Sequence, residues 1–192
     1  MKTAVLLSCL LAGTALMSDT NINFSTHNAA PVKIVKTNKV AFSKPIGAVR
    51  IVVDKSNYEL QVFDSEGWYA TYPVVFGSNS LENKKMEGDR LTPEGSFRIV
   101  NKRPHEKWSR YMGLDYPNQE SLARFNELKN RGAVPRTATP GGGVGIHGTW
   151  PRDEYMIDRY SNWTNGCISL KNSDMVELYS YVPTGTLVTI KR

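Results

Sequence analysis

The chain changes character near residue 48. From there, short apolar runs alternate with clusters of turn residues. Ala48 to Val53 (AVRIVV) is apolar and β-branched, Tyr58 to Phe63 (YELQVF) alternates apolar with polar positions, and Trp68 to Phe76 (WYATYPVVF) is aromatic and β-branched. Asp54-Lys55-Ser56-Asn57 and Asp64-Ser65-Glu66-Gly67 separate them. Runs of this length between such turns predict strands joined as hairpins. Ser96 to Val100 and Thr186 to Lys191 predict two further strands. The spacing becomes helical in two places. Asn118 to Arg131 sets Leu122, Phe125 and Leu128 three apart, with Gly132 as the stop. Ser173 to Val182 sets Met175, Val176, Tyr179 and Val182 on one face, with Asn172 or Ser173 as cap and Pro183 as terminator. No internal repeat interrupts this order. The predicted architecture is a mainly β domain with one or two appended helices.

Before residue 48 the pattern is different. Lys2 precedes a largely apolar stretch of 13 residues, Ala4 to Leu16, which gives way to Ser18, Asp19 and Thr20. One basic residue, a short apolar core and a polar exit are the layout of a secretory signal peptide. As a helix it would span only about 20 Å against a hydrocarbon core of about 30 Å, so no transmembrane span is predicted. Leu6-Leu7-Ser8-Cys9 also matches a lipid-attachment box in letters, a weaker alternative because cleavage there would leave little apolar core. Asp19 to about Pro45 is rich in Asn, Thr, Ser, Ala and Lys with no sustained period, which predicts an extended linker with a short strand near Val32 to Val35. The expected organisation is a signal peptide at 1–18, a linker at 19–47 and a folded domain at 48–192. Export to the periplasm or cell envelope follows from the leader.

Composition narrows the function classes. With 192 residues, 40% hydrophobic and 22% charged, the chain supports one packed domain rather than a disordered segment. The net charge is +6, yet Lys and Arg interleave with Asp and Glu throughout and no basic run or nucleic-acid motif appears. Nucleic acid is therefore not an expected partner.

Cysteine usage points to chemistry. The two cysteines are Cys9, inside the leader, and Cys167. Loss of the leader leaves one thiol, and a lone cysteine in an exported protein is a buried inert residue, an intermolecular bridge or a reactive group. Three segments stand out around it: Gly145-Ile-His-Gly-Thr149, Trp163-Thr-Asn-Gly-Cys-Ile-Ser-Leu170 and Gly88-Asp-Arg-Leu-Thr-Pro-Glu-Gly95. A nucleophilic cysteine must become a thiolate, and only about 3% of a free thiol is ionised at pH 7. Of three histidines, His27 falls in the linker and His105 in a charged stretch, Lys102 to Lys107, that predicts an exposed loop. His147 ends the apolar run Val144-Gly145-Ile146 and lies 20 positions before Cys167, a separation that two neighbouring strands can close. Cys167 with His147 as base is an activated-nucleophile pair. Gly166 permits a strained turn and close approach of a carbonyl, and the amides of Asn165, Gly166 and Cys167 are candidate oxyanion donors. Taken singly, a free cysteine is more often a small buried hydrophobe and a strand-end histidine is often satisfied by a carbonyl. The coincidence of the lone thiol, Gly166 and Ile146-His-Gly favours function. The histidines and the thiol give no zinc spacing, and Pro140-Gly-Gly-Gly-Val-Gly145 precedes no helix start, so neither metal nor cofactor is implied. That glycine run predicts a loop over the site.

These segments together resemble the catalytic domain of the L,D-transpeptidase family, also called the YkuD-like fold, from about Ala48 to Arg192. Arg50-Ile-Val-Val and Glu59-Leu-Gln-Val-Phe resemble its opening strands, and Tyr72-Pro-Val-Val-Phe-Gly77 its third. Gly88-Asp-Arg-Leu-Thr-Pro-Glu-Gly95 resembles the family's Thr-Pro-x-Gly segment, and Ile146-His-Gly-Thr149 with Thr164-Asn-Gly-Cys-Ile-Ser-Leu170 its signature. The resemblance implies a β-sandwich or barrel, Cys167 as nucleophile, His147 as base and the carbonyl of Gly148 as its orienting partner. It implies peptidoglycan stem peptides as substrate, with acylation of the cysteine at the L-centre of a diamino acid, release of D-Ala and transfer to an amine. It also implies acylation by carbapenem β-lactams. Thr164 stands where the family has Ser or Thr. Two positions depart: Asn165 where His is common, and Ser169 where Arg is frequent, a loss that would remove a carboxylate contact from the pocket. Hydrolysis by an L,D-carboxypeptidase or amidase on the same site, and a non-catalytic wall-binding module, are the alternatives.

Overall fold

The computed structural model describes residues 37–39 and 44–192. The leader, Cys9, His27 and the strand expected near Val32 to Val35 lie outside the described residues.

The opening hairpins form as the pattern predicts. β2 (Arg50–Asp54), β3 (Glu59–Asp64) and β4 (Gly67–Pro73) pair antiparallel in sequence order. Within the span read as a linker, β1 (Asn38–Lys39) adds to the outer edge of β4. On its other side β2 pairs in parallel with β9 (Leu187–Lys191). β5 (Gly95–His105) then changes partners along its length. Gly95 to Arg98 pairs with β9, and Ile99 to His105 pairs with β6 (Ser109–Leu114), with a register shift between Ile99 and Asn101. Such an irregularity bends the strand and raises its twist. β7 (Gly145–His147) and β8 (Ile168–Ser169) complete the order β1-β4-β3-β2-β9-β5-β6-β7-β8.

The sheet then curls back on itself. Pro73 ends β4, since it has no N–H to donate. Val74 to Phe76, read as a continuation of that strand, instead cross inside the fold, wholly buried. Val75 bridges Ser169 and Gly77 bridges Thr164, so the end of the first hairpin pair meets β8. The result is the mainly β, barrel-like fold expected. Its core alternates in period two: Ile51 and Val53, Leu60 and Val62, Phe97 and Ile99, Met112 and Leu114, Val188 and Ile190.

Helix α1 (Gln119–Asn130) starts at Asn118, whose side chain accepts the Ser121 N–H. It ends at Gly132, φ +70°, where the Gly132 and Ala133 amides close on the Lys129 and Leu128 carbonyls. Only Phe125 of its three expected apolar contacts is buried; Leu122 is exposed. α2 (Tyr155–Asp158) is a single turn. α3 (Asn172–Tyr181) buries Met175 and Leu178 and stops before Pro183. Its cap differs from expectation: Asn172 is already helical and its N–H is taken by the Glu154 carboxylate at 2.8 Å. The stretch read as an exposed loop at Lys102 to Lys107 is mostly β5, whose charged residues hid a strand that leaves the core beyond Ile99.

Candidate active site

β7 is only three residues long, but it lies between β6 and β8. It runs antiparallel to β6, with Tyr111 opposite His147 and Met112 opposite Ile146. It runs parallel to β8, with Ile146 opposite Ile168 and His147 opposite Ser169. Directly paired residues share a face of the sheet. Ile146, Met112 and Ile168 therefore enter the core, while His147, Tyr111 and Ser169 share the opposite face. Gly145 is required here, because a Cβ would collide with the Tyr111 ring and the Met112 carbonyl at 2.6 Å.

His147 is 1% exposed. Its Nδ1 lies 2.6 Å from the Gly148 carbonyl oxygen. A carbonyl only accepts, so Nδ1 carries the proton and Nε2 is left as a base. The same carbonyl accepts the Ser169 hydroxyl at 3.2 Å, and the Gly148 N–H donates to the Trp108 carbonyl at 3.0 Å. A Cβ on Gly148 would meet Asn172 Oδ1 and the Trp108 carbonyl, which restricts the position to glycine. Aromatic rings enclose the imidazole: Trp108 stacks at 4.2 Å and Trp163 approaches edge-on at 5.6 Å. Burial pushes the imidazole down to about 4, against the opposing pull of the Gly148 hydrogen bond. At neutral pH the ring is uncharged.

Cys167 lies at the end of a turn entering β8, beside the strand that carries His147. Its Sγ is 3.6 Å from the Gly143 carbonyl. Burial raises the thiol, while a hydrogen bond from the Gly145 backbone and the charge of Lys84 act the other way. The Tyr111 phenol reaches the same Gly143 carbonyl at 3.0 Å and is pushed up to about 12, first by burial and then by the Cys167 sulfur. The glycine-rich loop thus lies against the thiol through its backbone, as expected of a loop over the site.

The turn itself is tied by Thr164. Its hydroxyl donates to the Cys167 carbonyl at 2.7 Å and accepts the Gly166 N–H at 3.1 Å. Gly166 has φ +129°, and a Cβ there would press on the Leu91 carbonyl at 2.8 Å. That carbonyl belongs to the Gly88–Gly95 segment, which forms a wall of the site. Asp89 holds the wall: it pairs with Lys84 at 2.7 Å and accepts the Lys85, Met86 and Leu91 amides. Behind it, buried Lys55 pairs with Glu94 at 2.7 Å and donates to the Glu82 and Thr92 carbonyls.

Two expected roles change. The Gly166 amide is bound to Thr164 and is not a free oxyanion donor. Ser169 is wholly buried on the Gly148 carbonyl, so it lines no substrate pocket; its hydroxyl supports the acceptor of His147. Asn165 is exposed and borders a cavity of about 430 Å³ that Lys84, Arg90 and Val144 also line. Trp108, Tyr111 and Lys55 were not singled out from the sequence, and Asp89 entered only as part of the Gly88–Gly95 segment. The alternation in Arg110-Tyr-Met-Gly-Leu was a usable signal for Tyr111; Trp108 had none. Among the described residues, no cluster of three His, Cys, Asp or Glu side chains could hold a metal, and no helix is long and apolar enough to cross a membrane.

Residues 48–190 match the family model of the YkuD L,D-transpeptidase catalytic domain. YqjB of Bacillus subtilis, which carries the name L,D-transpeptidase provisionally, is 30% identical over 142 residues, or 73% of this chain and 69% of that protein. The helical cell shape determining protein Pgp2 of Campylobacter jejuni shares the fold with a TM-score of 0.54 and 22% identity, over 76% of this chain and 48% of that one. The Ldtfm–avibactam carbamoyl enzyme does so with a TM-score of 0.51 and 21% identity, over 77% and 50%. The chain thus spans about half the length of these solved structures. With its domain matched from the first hairpin to the last strand, the chain belongs to the L,D-transpeptidase family.

Proposed function

We propose that this domain is an acyltransferase that acts on peptidoglycan stem peptides through a thioester on Cys167. The observation that carries the reading is the pinned His147. Its Nδ1–H is spent on the Gly148 carbonyl, so Nε2 is the free base on the strand beside the thiol. In the first half-reaction Sγ bonds to the carbonyl carbon of an L-centred residue, and its proton passes to Nε2. The tetrahedral intermediate expels the amine of the terminal D-residue, which takes the proton back from His147. In the second half, an acceptor amine attacks the thioester, its proton goes to Nε2, and the sulfur leaves and is reprotonated. The Cys167 amide is the donor we assign to the oxyanion. A neutral imidazole and a neutral thiol at rest suit this order, because the proton moves only as the carbonyl is attacked.

The test is direct. Reduced protein mixed with a carbapenem gains the mass of one drug molecule on the peptide containing Cys167, and Cys167→Ala, still folded, gains none. Tetrapeptide stems supplied with an acceptor amine yield the cross-linked product; trimmed stems alone would assign a hydrolase instead. A folded, reduced parent protein that forms no adduct with either reagent overturns the proposal.

A further inference from the structure

Trp108 closes the turn between β5 and β6 and is not among the side chains of the hydrophobic core. Its indole is stacked on both faces. His105 lies on one side with ring centres 4.3 Å apart and planes 7° apart. His147 lies on the other, 4.2 Å and 20° away. Trp150 meets the indole edge-on at 6.2 Å. The Trp108 carbonyl also holds the Gly148 N–H. One residue therefore grips both the imidazole and the peptide whose carbonyl orients it.

We propose that Trp108 is the positioning residue of His147: its indole face locks the imidazole plane onto the Gly148 carbonyl and keeps water off the ring. This rests on His147 acting as the base. A ring hydrogen-bonded at one nitrogen can still tip about that bond. A second ring stacked at 4.2 Å removes the freedom, so Nε2 keeps one direction. The same cover denies a protonated imidazole its hydration, which favours the neutral form. The titratable groups around the ring are His105 beyond the indole on β5, Tyr111 on β6 and Cys167 before β8. Arg103, Glu106 and Lys107 of the hairpin act in turn on His105. Of these, His105 opposes protonation of His147 by its charge, and the effect is secondary to burial.

The experiment is an NMR titration of the His147 imidazole in the full chain, as parent, Trp108→Ala, Trp108→Phe and His105→Ala. The parent is expected to titrate near 4, because burial disfavours the charged ring. Trp108→Ala is expected to raise that point by at least about one pH unit, toward the usual histidine value. Trp108→Phe retains most of the depression, since a flat ring still covers the imidazole, and His105→Ala changes it least. An unchanged titration in folded Trp108→Ala, or an equal rise in Trp108→Phe, overturns the proposal. Trp108→Gln fills the gap while bringing a polar group to the ring, and is read the same way if the alanine variant does not fold. The titration needs no acyl transfer. A chain that shows this coupling but forms no thioester would fail the proposed function and leave the role of Trp108 standing.

Discussion

The two halves of the site are built from opposite materials. The His147 half is dry and aromatic: a three-residue strand under Trp108, Tyr111 and Trp163, with one backbone carbonyl as its polar anchor. The Cys167 half is polar. Thr164 ties its turn with two hydrogen bonds, and the ion pairs Lys84–Asp89 and Lys55–Glu94 brace the wall against which Gly166 rests. Each material does what the other cannot. Rings exclude water and hold the plane of the imidazole, and so decide its charge. Hydrogen bonds to the backbone fix direction, and so decide the shape of the turn that presents the thiol.

Removing a buried brace should cost the polar half most. Lys55→Ala leaves Glu94 without its partner and the Glu82 and Thr92 carbonyls without their donor. Breaking a buried pair in this way costs about 3 kcal/mol or more. Chemical denaturation should show that loss. Alkylation of Cys167 should change in the folded variant, while the titration of His147 stays near that of the parent. Equal stability of variant and parent would mean that the wall does not depend on this pair.

The aromatic half should instead respond to pH. Burial pushes the folded His147 imidazole down to about 4, against the usual 6.5 in the unfolded chain. Between those values the unfolded chain holds a proton that the folded chain does not, so stability falls as pH falls through that window. The gap corresponds to about 3 kcal/mol at most. His147→Gln lacks this linkage. Unfolding free energies at pH 7 and 4.5 should therefore fall by about 2 kcal/mol more for the parent than for the variant. Parallel pH dependence would show that burial does not hold the ring neutral.

Ser169 joins the two halves, since it sits on β8 and donates to the carbonyl that orients His147. Ser169→Ala removes one hydrogen bond to a carbonyl that keeps the other, at about 1 kcal/mol. Transfer activity should fall a few-fold with little change in substrate KM. A rise in KM alone would return Ser169 to the substrate pocket, contrary to its burial.

Much of this was legible in the residues. β2 declares itself by its apolar, β-branched run and β3 by alternation, and α1 carries its own start and stop in Asn118 and Gly132. The lone thiol, Gly166 and the Ile146-His-Gly run marked the site. β7 and β8, with three and two residues, are too short to show any period, and charge disguised the far half of β5.

Local sequence alone determined the β-rich domain, its two principal helices and the candidate pair Cys167 and His147, because those features rest on periodicity and residue chemistry within short windows. The tertiary structure decided the working details. The stacking of Trp108 on His147 joins residues 39 positions apart, and the Ser169 hydroxyl reaches a carbonyl 21 positions away. The Leu91 carbonyl, 75 positions away, leaves no room for a Cβ on Gly166. Charge state depends on burial, and burial exists only once the sheet has closed; no window of the chain contains it.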